Sequence, residues 1–213
     1  ETIDESTPPA PGRLDPYSES KLAGERLVLE AHGRRGLATV VVRPGVIWGR
    51  GDPHVLPRIA ALLRRRRMVY IAGGRNHVAL SHVENLSLGL ALAAEVPAAA
   101  GRTYHVMDAE DLTARQGIDG LADSLGTPRP RFSLPFLAVY AAAALLEAGA
   151  RAAGRALAPP LTRYGVRLVA SDGRYDHARA AHELGYSPLV SFEEGLAELA
   201  RPYPALDLGT TRR

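Results

Sequence analysis

Tyr17 and Lys21 stand four residues apart in Tyr17-Ser18-Glu19-Ser20-Lys21, and Lys21 is the sole lysine among 26 basic residues. Arginine binds as a rigid charged fork, whereas an ammonium is a compact point charge on a flexible stem, so neither serves a site built for the other. A tyrosine alone is a poor base, with an ordinary pKa of about 10. An ammonium one helical turn away favours the phenolate, as does the positive charge of an oxidised nicotinamide. The lysine's remaining N–H donors can hold the two ribose hydroxyls of a nucleotide. The pair therefore suits hydride chemistry at a carbinol, with Tyr17 taking the hydroxyl proton. Two solvated neighbours on a helix surface share this spacing, so the flanking elements must decide.

Asp15-Pro16 has the grammar of a helix start, an acceptor at the cap followed by proline at the first helical position. Ser20, Gly24, Leu27, Val28 and Ala31 recur at helical steps until Gly33 and Gly36 end the pattern, which predicts a helix carrying Tyr17 and Lys21 on one face. Leu37 to Val42 then reads as a strand buried on both faces, as in a parallel sheet. Ligands bind beyond the carboxyl ends of such strands, so Pro44 to Gly49 is the expected ligand-facing loop.

Further along, the pattern predicts a helix around Val55 to Leu63, a strand at Met68 to Ile71, a helix from Val83 to Glu95 and a strand at Thr103 to Met107. Thr113, Asp176 and Ser191 (with Glu194) are expected helix caps. Phe136 to Leu146 is apolar all round for eleven residues, which suits a core helix, with a membrane-surface contact or a greasy substrate mouth as alternatives. Three or four clear strands alternating with helices give an α/β class.

Tyr17-x-x-x-Lys21 followed by Arg43-Pro44-Gly45-Val46-Ile47-Trp48-Gly49 resembles the extended short-chain dehydrogenase/reductase family. In order along the chain, Asp4-Glu5, Gly73-Gly74-Arg75-Asn76, Ser81-His82-Val83-Glu84-Asn85, and Tyr175-Asp176 through Glu183-Leu184-Gly185-Tyr186-Ser187-Pro188 are similar to that family too. The apolar segment after Ser133-Leu134-Pro135, and Pro160-Leu161-Thr162-Arg163, resemble most the 3β-hydroxysteroid dehydrogenase branch; the epimerase and dehydratase branch shares the tyrosine, lysine and cofactor.

The resemblance implies the C-terminal part of a Rossmann-type doubly wound parallel sheet plus a smaller, mostly helical substrate-binding region. Residues 1–110 would belong mainly to the dinucleotide-binding domain with interleaved substrate-domain segments, 111–200 mainly to the substrate region, and 201–213 to a tail. Tyr17 would be the acid/base. Lys21 would assist it and bind the nicotinamide ribose of NAD or NADP, and Pro44, Gly45, Val46 and Ile47 would contact the nicotinamide. Asn76, His82 and Arg163 are candidates for the substrate side, each equally open to a structural role. The family's glycine-rich phosphate turn lies far upstream of its tyrosine, whereas 16 residues precede Tyr17 here. The expectation is therefore the second half of an enzyme that, isolated, exposes an apolar strand face and neither binds cofactor tightly nor turns over. The substrate would be a secondary alcohol or ketone, steroid-like or another apolar ring; a nucleotide sugar, or a truncated relative that only binds ligand, are the alternatives.

Composition narrows the classes. With no cysteine among 213 residues, disulfide frameworks and thiolate chemistry are excluded, which agrees with a cytoplasmic setting. A net charge of +3, with Arg64-Arg65-Arg66-Arg67 as its one cationic run, reads as a solvated helix end rather than a nucleic-acid surface. No membrane span, metal site or Gly-x-Ser-x-Gly elbow is expected, and the family often pairs through the tyrosine helix, which makes a homodimer the default.

Overall fold

The computed structural model describes residues 2–8, 16–53, 55–154, 159 and 161–201. Asp15, Pro160 and the tail from 202 onward lie outside them. β1 (Thr2–Ile3) precedes α1 (Pro16–Ala31), which opens on proline where a missing N–H costs nothing. Gly33 and Gly36, with φ of 76° and 78°, then turn the chain out of helix. β2 (Val41–Pro44) and β3 (Val46–Trp48) follow, then α2 (Val55–Arg64), β4 (Tyr70–Ile71), β5 (His77–Val78), β6 (Leu80–His82) and α3 (Val83–Glu95). The remainder comprises β7 (Thr103–Val106), β8 (Leu112–Thr113), α4 (Ala114–Ser124), β9 (Ser133–Leu134), α5 (Phe136–Ala152), α6 (Arg163–Ala170), β10 (Arg174–Tyr175), α7 (Ala178–Leu184) and α8 (Phe192–Ala200).

The strands are short and more numerous than the three or four expected. Among the described residues β1 pairs with β10, β2 with β7, β3 with β6 and β4 with β9, all parallel, while β5 and β8 are antiparallel. The β2–β7 ladder runs from Val41 opposite Thr103 to Pro44 opposite Val106. This moves the strand expected at Leu37 to Val42 toward its carboxyl end. The reason lies in the partner: Gly101, at φ 78°, turns the chain there and gives its N–H to the Thr39 carbonyl at 2.7 Å, so the ladder starts only where β7 straightens. The expected loop at Pro44 to Gly49 is also corrected, because Val46–Trp48 is strand β3, paired with β6.

The main core forms where α3 and α7 pack on this ladder, around Tyr104, Val106, Ala93, Ala180, Leu184 and Tyr186. At Gly89 on α3 a Cβ would lie 2.6 Å from Val106 Cγ1, so the helix approaches β7 as closely as it does only because that side chain is missing. Burying Val106 or Leu184 stabilises the fold by about 1.5–3 kcal/mol each. Tyr104 donates its hydroxyl to Glu183 of α7 at 2.8 Å; burial, then that carboxylate, pushes its pKa up to about 12. Beside β2 and α3, Ala38, Val40, Val42, Leu90, Ala94 and Ala100 line an open apolar groove. Val40 and Val42 are half-buried there against the main core, so the apolar strand face expected from sequence is only partly open.

A second cluster joins α2, β4 and α4 through Leu63, Tyr70, Ile118 and Leu121. Thr113 with Gln116 and Ser191 with Glu194 close reciprocal capping boxes at the starts of α4 and α8. Before α7 the cap position belongs to His177, while the Asp176 carboxylate accepts the Ala178 N–H at 2.7 Å. α5 departs from the expected core helix: only Val139 and Ala143 are buried, and Leu137 is 76% exposed. Its apolar residues outnumber what one neighbour can cover, since α6 is its main packing partner. Among the described residues no helix is long and apolar enough to cross a membrane.

Candidate active site

Tyr17 and Lys21 share the first turns of α1, and the Lys21 Nζ lies 5.6 Å from the centroid of the Tyr17 ring. Both are exposed, Tyr17 to 55%. Ser20 returns its hydroxyl to the Tyr17 carbonyl at 2.7 Å. No residue of α1 is buried, and the helix is held to the sheet by an ion pair deeper in the element: Arg43, in β2, grips Glu25 through Nε at 3.0 Å and Nη2 at 2.5 Å. The same carboxylate and burial act oppositely on Arg43, and the Glu25 bond prevails, raising its pKa.

The chain crosses from one ladder to the next at Gly45, between β2 and β3. A Cβ there would come within 2.5 Å of the Ala79 carbonyl oxygen, so only glycine lets the two strands touch. Its N–H donates to Ser81 Oγ at 2.9 Å, and Ser81 passes its own proton to the Val106 carbonyl at 2.7 Å. One buried hydroxyl thereby links β2, β6 and β7 beyond the carboxyl end of the parallel ladder. Pro44 and Ile47 are exposed there and Val46 is half-buried.

The three residues singled out for the substrate side take different places. The Asn76 amide donates to the Val169 and Ser171 carbonyls at 2.8 and 3.1 Å, tying the last turn of α6. Arg163 opens α6, where its backbone N–H and its Nε each donate to Glu147 of α5 at 2.7 Å. Burial would push the Glu147 carboxyl up, but the Arg163 N–H and guanidinium outweigh it and hold it below its usual value. His82 is 1% exposed, stands edge-on to Trp48, and its Nδ1 accepts the Glu84 N–H at the start of α3. Its Nε2 lies 3.9 Å from a Glu198 oxygen of α8.

Sequence reasoning passed over Tyr164 and Asp108, and gave Glu5 no role beyond its place in a motif. Tyr164, the second residue of α6, meets Tyr17 with ring centroids 5.4 Å apart and a 54° tilt. Nothing in its own neighbourhood signals this, because α1 and α6 are joined only by the fold. Asp108 accepts from Trp48 Nε1 at 2.6 Å, the His82 N–H at 2.7 Å and Asn85 Nδ2 at 2.7 Å. Asn85 in turn receives the Leu189 and Val190 N–H groups, so this buried network locks β3, α3 and the approach to α8 together. The nearly buried Glu5 carboxylate accepts the His105 N–H at 2.8 Å and faces Arg179 at 3.6 Å, fixing the segment after β1 against β7.

A tyrosine and a lysine one turn apart on the helix before a parallel strand, and a glycine crossing at that strand's carboxyl end, agree with an extended short-chain dehydrogenase/reductase, the class that comparison with known proteins shows. The model of the 3-beta hydroxysteroid dehydrogenase/isomerase family matches residues 2–135, and the chain belongs to that family. It is 34% identical over 204 residues to the 3beta-hydroxysteroid-dehydrogenase/decarboxylase isoform 1 of Arabidopsis thaliana, covering 91% of this chain and 46% of the relative. A 2-alkyl-3-oxoalkanoate reductase of Stenotrophomonas maltophilia is 34% identical, over 86% of this chain and 57% of its own. The chain thus spans about half the length of the curated relatives it matches. Among solved structures, a human epimerase family protein with NADPH superposes with a TM-score of 0.69 at 19% identity, covering 94% of this chain and 59% of that one. A dTDP-glucose 4,6-dehydratase of Streptomyces venezuelae with NAD gives 0.65 at 26% identity, covering 94% and 53%.

Proposed function

We propose that these residues are the catalytic half of an NAD(P)-dependent oxidoreductase that interconverts a secondary alcohol and its ketone on an apolar ring or chain. The observation that carries this reading is the Tyr17–Lys21 pair, exposed on one face of α1 with the ammonium 5.6 Å from the phenol ring. The donor set suits a nicotinamide nucleotide: Lys21 offers three N–H donors to ribose hydroxyls, and exposed Pro44 and Ile47, with Gly45 and Val46, offer a largely apolar edge for the base. When bound, the cofactor supplies or accepts the hydride. Tyr17 takes the carbinol proton during oxidation and returns it to the ketone oxygen during reduction. Lys21 offsets the negative charge that the phenolate then carries.

Apolar substrates are supported by two features. Tyr17 meets α6 through Tyr164, and α6 packs on α5 in a cluster that comprises Val139, Ala143 and Val166 with Phe136, Tyr140 and Leu161. Curated relatives include a sterol-4-alpha-carboxylate 3-dehydrogenase of Mus musculus and the 2-alkyl-3-oxoalkanoate reductase. The second reading, a nucleotide-sugar epimerase or dehydratase, draws on the 26% identity to the dTDP-glucose dehydratase. In this proposal residues 1–110 serve mainly the cofactor, and 111–200 mainly the substrate. Unburied α1, with Leu27 and Val28 exposed, agrees with a homodimer through that helix, and a monomer at micromolar concentration would contradict it.

The test uses the full-length protein. Net NADH or NADPH formation with hydroxysteroids supports the leading reading, whereas interconversion of UDP- or dTDP-sugars without net cofactor change supports the second. Tyr17→Phe should remove nearly all turnover, and unchanged turnover overturns both. Residues 1–213 by themselves are expected to hold NAD(H) weakly, since the sequence contains no Gly-x-Gly-x-x-Gly turn; micromolar binding in a titration would refute this.

A further inference from the structure

We propose that Tyr164 is the specificity-determining residue of the Tyr17 site, its ring forming the wall against which the apolar body of the substrate lies. This rests on the reading of Tyr17 as the acid/base. A carbinol that gives its proton to the Tyr17 hydroxyl must sit within hydrogen-bond reach of it, so the rest of the substrate extends over whatever flanks that ring. Tyr164 flanks it at 5.4 Å between centroids, and it is half-buried, leaving part of the ring open.

Its placement is fixed from both ends of α6. At the first turn, Thr162 caps the helix by accepting the Gly165 N–H at 3.1 Å, and Arg163 is held twice by Glu147 at 2.7 Å. At the last turn, Asn76 binds the Val169 and Ser171 carbonyls at 2.8 and 3.1 Å. Two of the residues expected to touch substrate thus aim a third one. The surroundings also select the ligand class. Val166, two residues on and so on the opposite side of α6, is buried against Val139 and Ala143, which seats the helix on α5 and leaves the Tyr164 side turned away from that cluster. The two cations of this helix are engaged, Arg163 with Glu147 and Arg167 over the Tyr140 ring at 5.2 Å. With Arg163 held by Glu147, a fused ring or an alkyl chain meets the aromatic face of Tyr164 beside Tyr17.

The experiment measures equilibrium binding of a 3-ketosteroid and, separately, of NADH and NADPH to the full-length protein. Tyr164→Ala should weaken steroid binding about tenfold, Tyr164→Phe should bind within twofold of wild type because the ring remains, and cofactor binding should change in neither. Steroid binding unaltered by Tyr164→Ala overturns the proposal. Equal losses of steroid and cofactor binding, or an equal loss in Tyr164→Phe, assign Tyr164 a structural or hydroxyl-borne role and overturn it as well. Wild-type protein that binds no steroid refutes the ligand class, whereas the role of Tyr17 stands or falls on its own phenylalanine variant.

Discussion

Arg43 closes on Glu25 with two parallel contacts, Nε to Oε2 at 3.0 Å and Nη2 to Oε1 at 2.5 Å, and this fork joins the helix bearing Tyr17 to the strand whose end leads into Gly45. A bidentate pair fixes orientation as well as distance, so it sets where α1 lies along β2. Arg43→Lys keeps the charge and loses the fork. With Arg43 about one-third exposed, solvent screening limits the cost to about 1 kcal/mol, or a melting temperature lower by about 2–4 °C for a chain of this size. Turnover should fall by a larger factor than that change in stability implies, because the Tyr17 helix loses its register. Thermal melts and steady-state rates on the same samples check both; equal turnover with a lowered melting temperature would confine the pair to stability.

Asp108 gathers three donors in a place where it is 6% exposed. Asp108→Ala leaves Trp48 Nε1, the His82 N–H and Asn85 Nδ2 buried without their acceptor, and should destabilise the fold by about 3 kcal/mol or more. Asp108→Asn retains one acceptor oxygen but turns an amide donor toward another N–H, and should cost less than alanine. Urea unfolding orders the two variants; the reverse order would show that packing, not hydrogen bonding, sets the effect.

His105 gives the protein an acid-sensitive element. Burial lowers its pKa below the usual 6.5, outweighing the bond that its Nδ1 makes to the Asp176 carbonyl at 3.1 Å and the nearby Glu5 carboxylate. The unfolded chain therefore takes up this proton first as pH falls. Stability from the neutral ring is fully present above about pH 6.5 and is lost as pH drops through the lower folded value. The urea midpoint should decline between pH 7.5 and 5.5, and His105→Asn, which can still donate to Asp176, should flatten that decline. An identical decline in the variant would assign it to the other histidines.

The helix caps at Thr113 and Ser191 and the proline start of α1 are written in three or four adjacent residues, and each was legible. So was the Tyr17–Lys21 pair, since a helix brings residues four apart onto one face whatever surrounds it. Strand ends were not legible to the residue, because the β2 ladder begins where β7 begins, and β7 comes some sixty positions later. Nor was the exposure of α5, as an all-apolar helix has the same sequence whether neighbours cover it or not.

The sequence by itself therefore determined the family and the class of fold, both of which rest on local spacing and ordered motifs. Only the tertiary structure decided which candidate residues touch one another. It buried His82 beside Trp48, tied Arg163 to Glu147 and Asn76 to the end of α6, and brought Tyr164 to Tyr17. These contacts join elements distant in sequence, and they arise from packing of the whole chain, which local residue types do not encode.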